Sequence, residues 1–221
     1  MNDRSSIFDE PTRPTKRAEK ERARAFRLVD CALELFSKHG YDSVSVKKIA
    51  EAAGMAQGSL YNYFSNKEDL YWAVLARHGY ASHAKEIIEH ADGKPVRDVL
   101  LEIGLHFHEY LSEHKPLIHL ILAGSHTNPE VADLFARYIE TDGIVIRRFL
   151  QGRVDRGELR PHDVKVTLQM LLPPILFHHV FGIPKTEDFP GFIRNMVDVL
   201  MTGLQPVCEA AKAVDLPRNA R

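Results

Sequence analysis

The stretch Ser45–Phe64, SVKKIAEAAGMAQGSLYNYF, constrains this chain more than any other part of it. Val46, Ile49, Ala50 and Ala53 recur at i, i+3, i+4 and i+7, the spacing of one helix face. Ser45 stands where a side-chain oxygen can cap the first turn, and Gly54 follows as the residue that best tolerates a left-handed helix end. A second helical pattern starts after Met55-Ala56 and runs from Gln57 through Leu60 to Phe64, with Gln57, Ser59, Tyr61, Asn62 and Tyr63 on its exposed face. Two short helices joined by a tight turn, the second polar and aromatic, predict a helix-turn-helix.

The side chains of this stretch suit DNA better than they suit stability. Gly58 in the first turn of the second helix costs about 1 kcal/mol relative to alanine, and its missing side chain would let the backbone approach a phosphate. Gln57 and Asn62 are the residues most able to read base edges, while Tyr61, Tyr63 and Lys67 are suited to phosphates. Ser65-Asn66-Lys67-Glu68 reads as a capping box, with Ser65 as cap and Glu68 reaching back. The competing reading is a helical hairpin with a solvated polar face, used as an adaptor for protein contacts.

Ser45–Phe64, with Phe36 and Gly40 before it and Lys67 and Leu70 after it, resembles the DNA-binding domain of the tetracycline-repressor (TetR/AcrR-type) family. The resemblance is carried by Ala25–Gly40 as first helix, then Ile49-Ala50, Ala53-Gly54-Met55, Gly58-Ser59-Leu60-Tyr61, Tyr63-Phe64 and Lys67. One departure is Ala56, where the family usually has Ser or Thr; it removes a helix cap and a phosphate-contacting hydroxyl. The resemblance implies a DNA face made of Ser45, Lys47, Lys48, Gln57, Gly58, Ser59, Tyr61, Asn62, Tyr63 and Lys67. It further implies a homodimer on a palindromic operator, a small-molecule effector bound in the helical body, and repression as the outcome.

Composition narrows the alternatives. The chain has 221 residues, 44% hydrophobic and 27% charged, which supports a core in a soluble protein. The net charge of −1 hides a local excess: Arg13–Arg27 holds seven basic residues against Glu19 and Glu21, a local +5 suited to a DNA backbone. Cys31 and Cys208 lie far apart with no paired spacing, so neither a disulfide framework nor a zinc motif is expected. The opening MNDRSSIFDEPTRPTKR lacks the apolar core of a signal peptide, and a cytoplasmic location is the expectation. No GxSxG, GxxxxGK, GxGxxG after a strand or HExxH occurs, so no enzyme and no cofactor are expected.

Helical periodicity continues to the end, predicting an all-α fold: a three-helix N-terminal head and a C-terminal bundle of about six helices. Residues 1–20 read as a basic arm, 21–70 as the DNA-binding domain with its motif at 45–64, 71–206 as effector-binding and dimerisation domain, and 207–221 as a loose tail. Single helices are expected from Glu68 to about Ala91 and from Asn128 to about Arg156. The last two helices carry more apolar residues than a surface pair needs, and the resemblance makes them a dimer interface through Leu168, Leu172, Ile175, Leu176, Phe192, Met196 and Leu200. His106, Phe107, Tyr110, Phe177 and His178 are the candidate effector pocket: apolar walls with a few polar anchors. His83-Glu86-His90 and Glu102-His106-Glu109 share helix faces, but i,i+4 charge pairing explains them without a metal. A metal-responsive regulator is the lesser alternative.

Overall fold

The computed structural model describes residues 15–125 and 128–205, and the elements among them are all helices. In chain order they are α1 (Lys16–His39), α2 (Val46–Ala52), α3 (Gln57–Leu60), α4 (Lys67–His78), α5 (Ala81–Glu89), α6 (Val96–Glu113), α7 (Lys115–Ser125), α8 (Pro129–Asp142), α9 (Ile144–Asp155), α10 (Val164–Phe181) and α11 (Phe189–Leu204). The all-α expectation holds. The first part of the basic arm, His126, Cys208 and the expected tail lie outside the described residues.

Two expected long helices are broken in two. The pattern from Glu68 stops at Gly79, whose backbone is extended (φ −88°, ψ 171°). The Tyr138 hydroxyl and the Leu75 carbonyl occupy the space a Cβ at Gly79 would need, so the break is held by tertiary packing. The pattern from Pro129 is interrupted at Gly143, which caps α8 by donating its N–H to Ile139 O at 3.0 Å. Glycine is the weakest ordinary helix former, so the interruption falls there.

The described residues divide into two compact units. The first runs to His83 and includes Glu109–Ile144; the second joins Ala84–His108 to the segment from Val145. In the first unit α1 packs on α4 and α7, and α8 packs on α4 and α7. Leu28, Phe36, Ile49, Leu60, Leu70, Tyr71 and Leu75 are fully buried there. The rings of Phe36, Tyr41 and Tyr71 meet at centroid distances of 5.3, 5.4 and 6.2 Å. Burial pushes the Tyr41 hydroxyl up to about 12. Asn128 caps α8 through Glu130 N–H (2.9 Å) and donates to Asp42 at 2.7 Å, tying the start of α8 to the loop before α2. Trp72 of α4 meets Tyr138 of α8 edge-on at 6.1 Å.

The end of α4 is fastened twice within this unit. Asp30 of α1 accepts from Arg77 Nε and pairs with His78 Nε2, each at 2.9 Å, while the Arg77 guanidinium lies 3.8 Å from the Phe26 ring centre. On the other side, the Tyr110 hydroxyl donates to the His78 carbonyl, and the Tyr110 ring stacks on His114 at 4.0 Å. A charge pair at the surface is worth little alone, but a bidentate-type clamp with stacking has fixed geometry.

In the second unit Ile103, Leu171, Ile175, Ile193 and Val197 form the centre. Gly104 permits the close approach of α11: a Cβ there would sit 3.0 Å from Ile193 Cγ2. Arg153, 9% exposed, donates to Glu158 at 2.6 Å and to the Ala91 carbonyl at 3.3 Å, so its charge is paired where it is buried. Arg97 donates to Asp198 at 2.6 Å and links α6 to α11. By length and composition α10 could cross a membrane, with a mean hydropathy of 1.2, yet Leu168, Leu171 and Ile175 are buried against its own unit.

Candidate nucleic-acid interface

The helix-turn-helix is built by local rules that the sequence states. Ser45 accepts from Lys48 N–H at 3.2 Å and starts α2. Gly54 has φ +69°, and Met55 N–H returns to Ala50 O at 2.8 Å, closing α2 with the left-handed turn that a non-glycine residue would strain. Ala56 stands at the cap position of α3 and offers no side-chain bond. Regular α-helix in α3 spans only Gln57–Leu60; Asn62 N–H and Tyr63 N–H then bond three residues back, to Ser59 O and Leu60 O, so the segment tightens as it approaches Phe64.

Leu60 and Phe64 are buried and anchor α3 to the head. Ser45, Lys47, Lys48, Gln57, Gly58, Tyr61 and Asn62 are exposed, and Ser59 is half-buried. Nothing lies within 4 Å of a Cβ built on Gly58, so the open space beside it faces outward. Tyr61 is 48% exposed.

Two residues of the expected DNA face also make contacts within the protein. The hydroxyl of Tyr63 donates to the Glu21 carboxylate of α1, and Arg24 pairs with the same carboxylate at 3.4 Å. Burial first, then this hydrogen bond, raises the Tyr63 pKa. Lys67 does not stand out into solvent: its ammonium lies 4.1 Å from the Tyr41 ring centre and 5.8 Å from that of Phe36. Burial pulls its pKa down, partly opposed by Asp42. The cap of α4 is also shifted by one residue. Asn66, not Ser65, accepts from Asp69 N–H at 2.6 Å, and Asp69, not Glu68, reaches back to Ser65 N–H at 3.1 Å.

The residues named for the body fall in both units. Tyr110 belongs to the first unit, against Tyr80, His83 and His114. His106, Phe107 and His178 are half-buried in the second, where His178 stacks on Phe189 at 3.5 Å and His108 Nδ1 meets His179 Nε2 at 2.9 Å. Phe177 is 54% exposed. Among the described residues no group of three or more His, Cys, Asp or Glu could hold a metal ion.

The expected interface residues fall on both sides of α10 and α11. Leu168, Ile175 and Leu200 are buried within the unit, while Leu172, Leu176, Phe192 and Met196 are half-buried. The exposed apolar surface is instead Val166, Met170, Phe177 and Phe181 on α10, with Val199 on α11. An open groove of about 290 Å³ runs beside it, lined by Met170, Phe192, Asn195, Met196, Val199 and Leu200.

A short turn-helix unit, glycine-closed, with an exposed polar and aromatic second helix on a wholly helical chain, defines a helix-turn-helix DNA-binding regulator. Residues 28–74 match the family model described as bacterial regulatory proteins, tetR family. The fatty acid metabolism regulator protein of Bacillus subtilis is 27% identical over 84% of this chain and 97% of its own length. The solved structure of the transcriptional regulator FadR from Bacillus subtilis, in complex with stearoyl-CoA, aligns with a TM-score of 0.64 at 23% identity, covering 80% of this chain and 98% of its own. A TetR family transcription regulator from Marinobacter aquaeolei aligns at 0.56 with 20% identity over 81% of this chain and 95% of its own.

Proposed function

We propose that this DNA-binding regulator is a ligand-responsive repressor, which binds a palindromic operator as a homodimer and leaves it when a small, largely apolar effector enters the body. The observation that carries the DNA reading is the exposure of Gln57, Tyr61 and Asn62 on an α3 anchored from behind by Leu60 and Phe64. Gln57 and Asn62 read base edges; Tyr61 and the α2 residues Ser45, Lys47 and Lys48 hold phosphates. A single short helix reads few bases, and two heads one helical turn apart, about 34–36 Å, read an inverted repeat.

The dimer reading is supported by the exposed stripe Val166, Met170, Phe177 and Phe181 and the groove beside it. A second copy of the same face would cover both. The effector is proposed to bind at α6 and α10, near His106, Phe107 and His178. The stearoyl-CoA complex of the Bacillus subtilis regulator makes acyl-CoA thioesters the first compounds to titrate. Cytoplasmic location follows from the same reading.

Selection from a random-sequence duplex library tests it. The proposal expects an inverted repeat to be recovered and Gln57→Ala to recover a different one. Lys48→Ala, at an exposed cation of α2, should weaken all sequences about equally and flatten the salt dependence by about one unit. Failure to enrich any sequence would leave the protein-adaptor reading standing.

A further inference from the structure

We propose that His108 of α6 and His179 of α10 form a two-histidine chelate for a divalent transition-metal ion, with Cu2+ and Ni2+ as the ions its angle fits. The facing nitrogens are His108 Nδ1 and His179 Nε2, 2.9 Å apart, with ring centroids at 4.9 Å. Both rings are half-buried in the second unit, adjacent in sequence to Phe107 and His178. Metal binding here does not depend on DNA release by an organic effector.

A glycine brings the two helices together. A Cβ built on Gly104 would lie 3.6 Å from Ile175 Cδ1 and 3.6 Å from Leu171 Cδ1, so α10 passes close to α6 at that level. His108 and His179 follow Gly104 and Ile175 by four residues each, about one helical turn, so both stay on the facing side of their own helix and meet across the gap. The pair joins positions 71 residues apart, which is why no spacing within one helix announces it. The last turn of α10 is closed by Gly182, at φ +64°, whose N–H donates to the His178 carbonyl at 2.8 Å. That closure fixes the backbone from which His179 projects, and the partial negative charge at a helix C-terminus favours a cation.

The distance between the nitrogens selects the ion. With metal–nitrogen bonds of about 2.0–2.1 Å, two nitrogens 2.9 Å apart subtend about 90° at a shared ion. Tetrahedral ligation would hold them about 3.3 Å apart. A right angle suits adjacent corners of a square-planar or octahedral shell, which Cu2+ and Ni2+ adopt with imidazole ligands. Among the described residues no group of three or more His, Cys, Asp or Glu could hold a metal, so the other corners fall to water or to a small donor ligand. In the hydrogen-bonded dyad one ring donates its N–H and the other accepts. The ion replaces that proton, which moves to the other nitrogen of its ring or passes to solvent, and no electron changes hands.

Packed rings border the dyad. Phe189, 4% exposed, lies 5.0 Å from the His108 ring and stacks on His178 at 3.5 Å. His178 donates from Nδ1 to the Pro184 carbonyl at 3.2 Å, since a carbonyl can only accept. Its ring centre is 6.1 Å from that of His108 and 5.7 Å from that of His179, wider than the 4.9 Å of the facing pair. His178 therefore stands outside the chelate, braced between Phe189 and the segment that follows α10.

Titration calorimetry with Cu2+ on the full chain, without an affinity tag and stripped by chelator, tests the site. A single tight Cu2+ site per chain should appear, with Ni2+ weaker and Mn2+ weaker still. His108→Gln and His179→Gln should each weaken Cu2+ binding by about tenfold or more, while His90→Gln, at an exposed histidine of α5, should leave it unchanged. Electron paramagnetic resonance of the parent's copper complex should show two nitrogen ligands, falling to one in either dyad variant. If a dyad variant also shifts the urea midpoint, so that loss of site and loss of fold are mixed, the parent alone decides: substoichiometric Cu2+ should broaden the Phe189 proton resonances before those around His90 or His162. A parent that binds no copper, binding that survives both dyad substitutions, an equal loss in His90→Gln, or broadening centred on His90 or His162 would each overturn the inference.

Discussion

Gly79 shows how one atom fixes the course of a backbone. A Cβ there would overlap the Tyr138 hydroxyl and the Leu75 carbonyl, and the second is backbone that cannot turn aside. Gly79→Ala should therefore cost roughly 1–3 kcal/mol or more in denaturant unfolding, though its φ of −88° suits any residue. Its neighbour His78 gives a pH signature. Burial lowers its pKa, while Asp30 pulls it up and Arg77 and His114 push it down. A depressed folded pKa means that the neutral ring contributes stability in full above the unfolded value, near 6.5, and loses it as pH falls through the folded one. The urea midpoint of the parent should thus fall more steeply below about pH 6 than that of His78→Gln. Equal slopes would contradict the depressed pKa, and a shallower fall in the parent would show that Asp30 holds the ring charged. At this scale the sequence was a good guide where one residue suffices: Ser45 caps, Gly54 turns left-handed and Ala56 leaves α3 uncapped. It was a poor guide at Ser65-Asn66, where two adjacent residues can both cap and the choice fell to Asn66 with Asp69.

Among the elements, α10 explains what periodicity can and cannot resolve. A helix apolar on nearly all sides has no pattern that says which face meets its own core. Leu168, Leu171 and Ile175 took the core; Val166, Met170, Phe177 and Phe181, which also recur at helical spacing, were left outside. The sequence reading named Leu168, Leu172, Ile175 and Leu176 of this helix and not Val166, Met170 or Phe181, because the choice between its faces depends on how α11 and α6 pack. This difference is testable. Phe177→Glu should leave the fold intact, since the ring is 54% exposed, and should convert a particle of twice 25.1 kDa into one of 25.1 kDa by light scattering. Ile175→Ala should instead cost about 2–5 kcal/mol of unfolding free energy, as a buried truncation does. If Phe177→Glu and the parent scatter alike, the exposed stripe is not the dimer face. The breaks at Gly79 and Gly143 were likewise not legible as element ends, because isolated glycines inside a helical pattern are often tolerated.

At the scale of the molecule, α4 links the helix-turn-helix to later parts of the chain. Asp30 holds its end to α1, and Tyr138 and Trp72 hold it to α8, all within one compact unit. An effector can shift the head only by its differential affinity for two arrangements, typically 1–3 kcal/mol of coupling. Trp72 is the chain's one tryptophan and lies on this link, so its emission should change when an acyl-CoA releases DNA and stay constant with ligands that do not. The helix-turn-helix was legible in sequence because its rules are local; the grouping of the head with α7 and α8 was not, because it rests on packing between segments far apart in the chain. The most direct test of the whole account is the ratio of affinities for a duplex recovered by selection and one of equal length with shuffled sequence, measured for the parent and for Gln57→Ala. The account predicts a large ratio for the parent that collapses in the variant while shuffled-duplex binding is unchanged. A parent ratio near one, or a ratio that Gln57→Ala leaves intact, would contradict it.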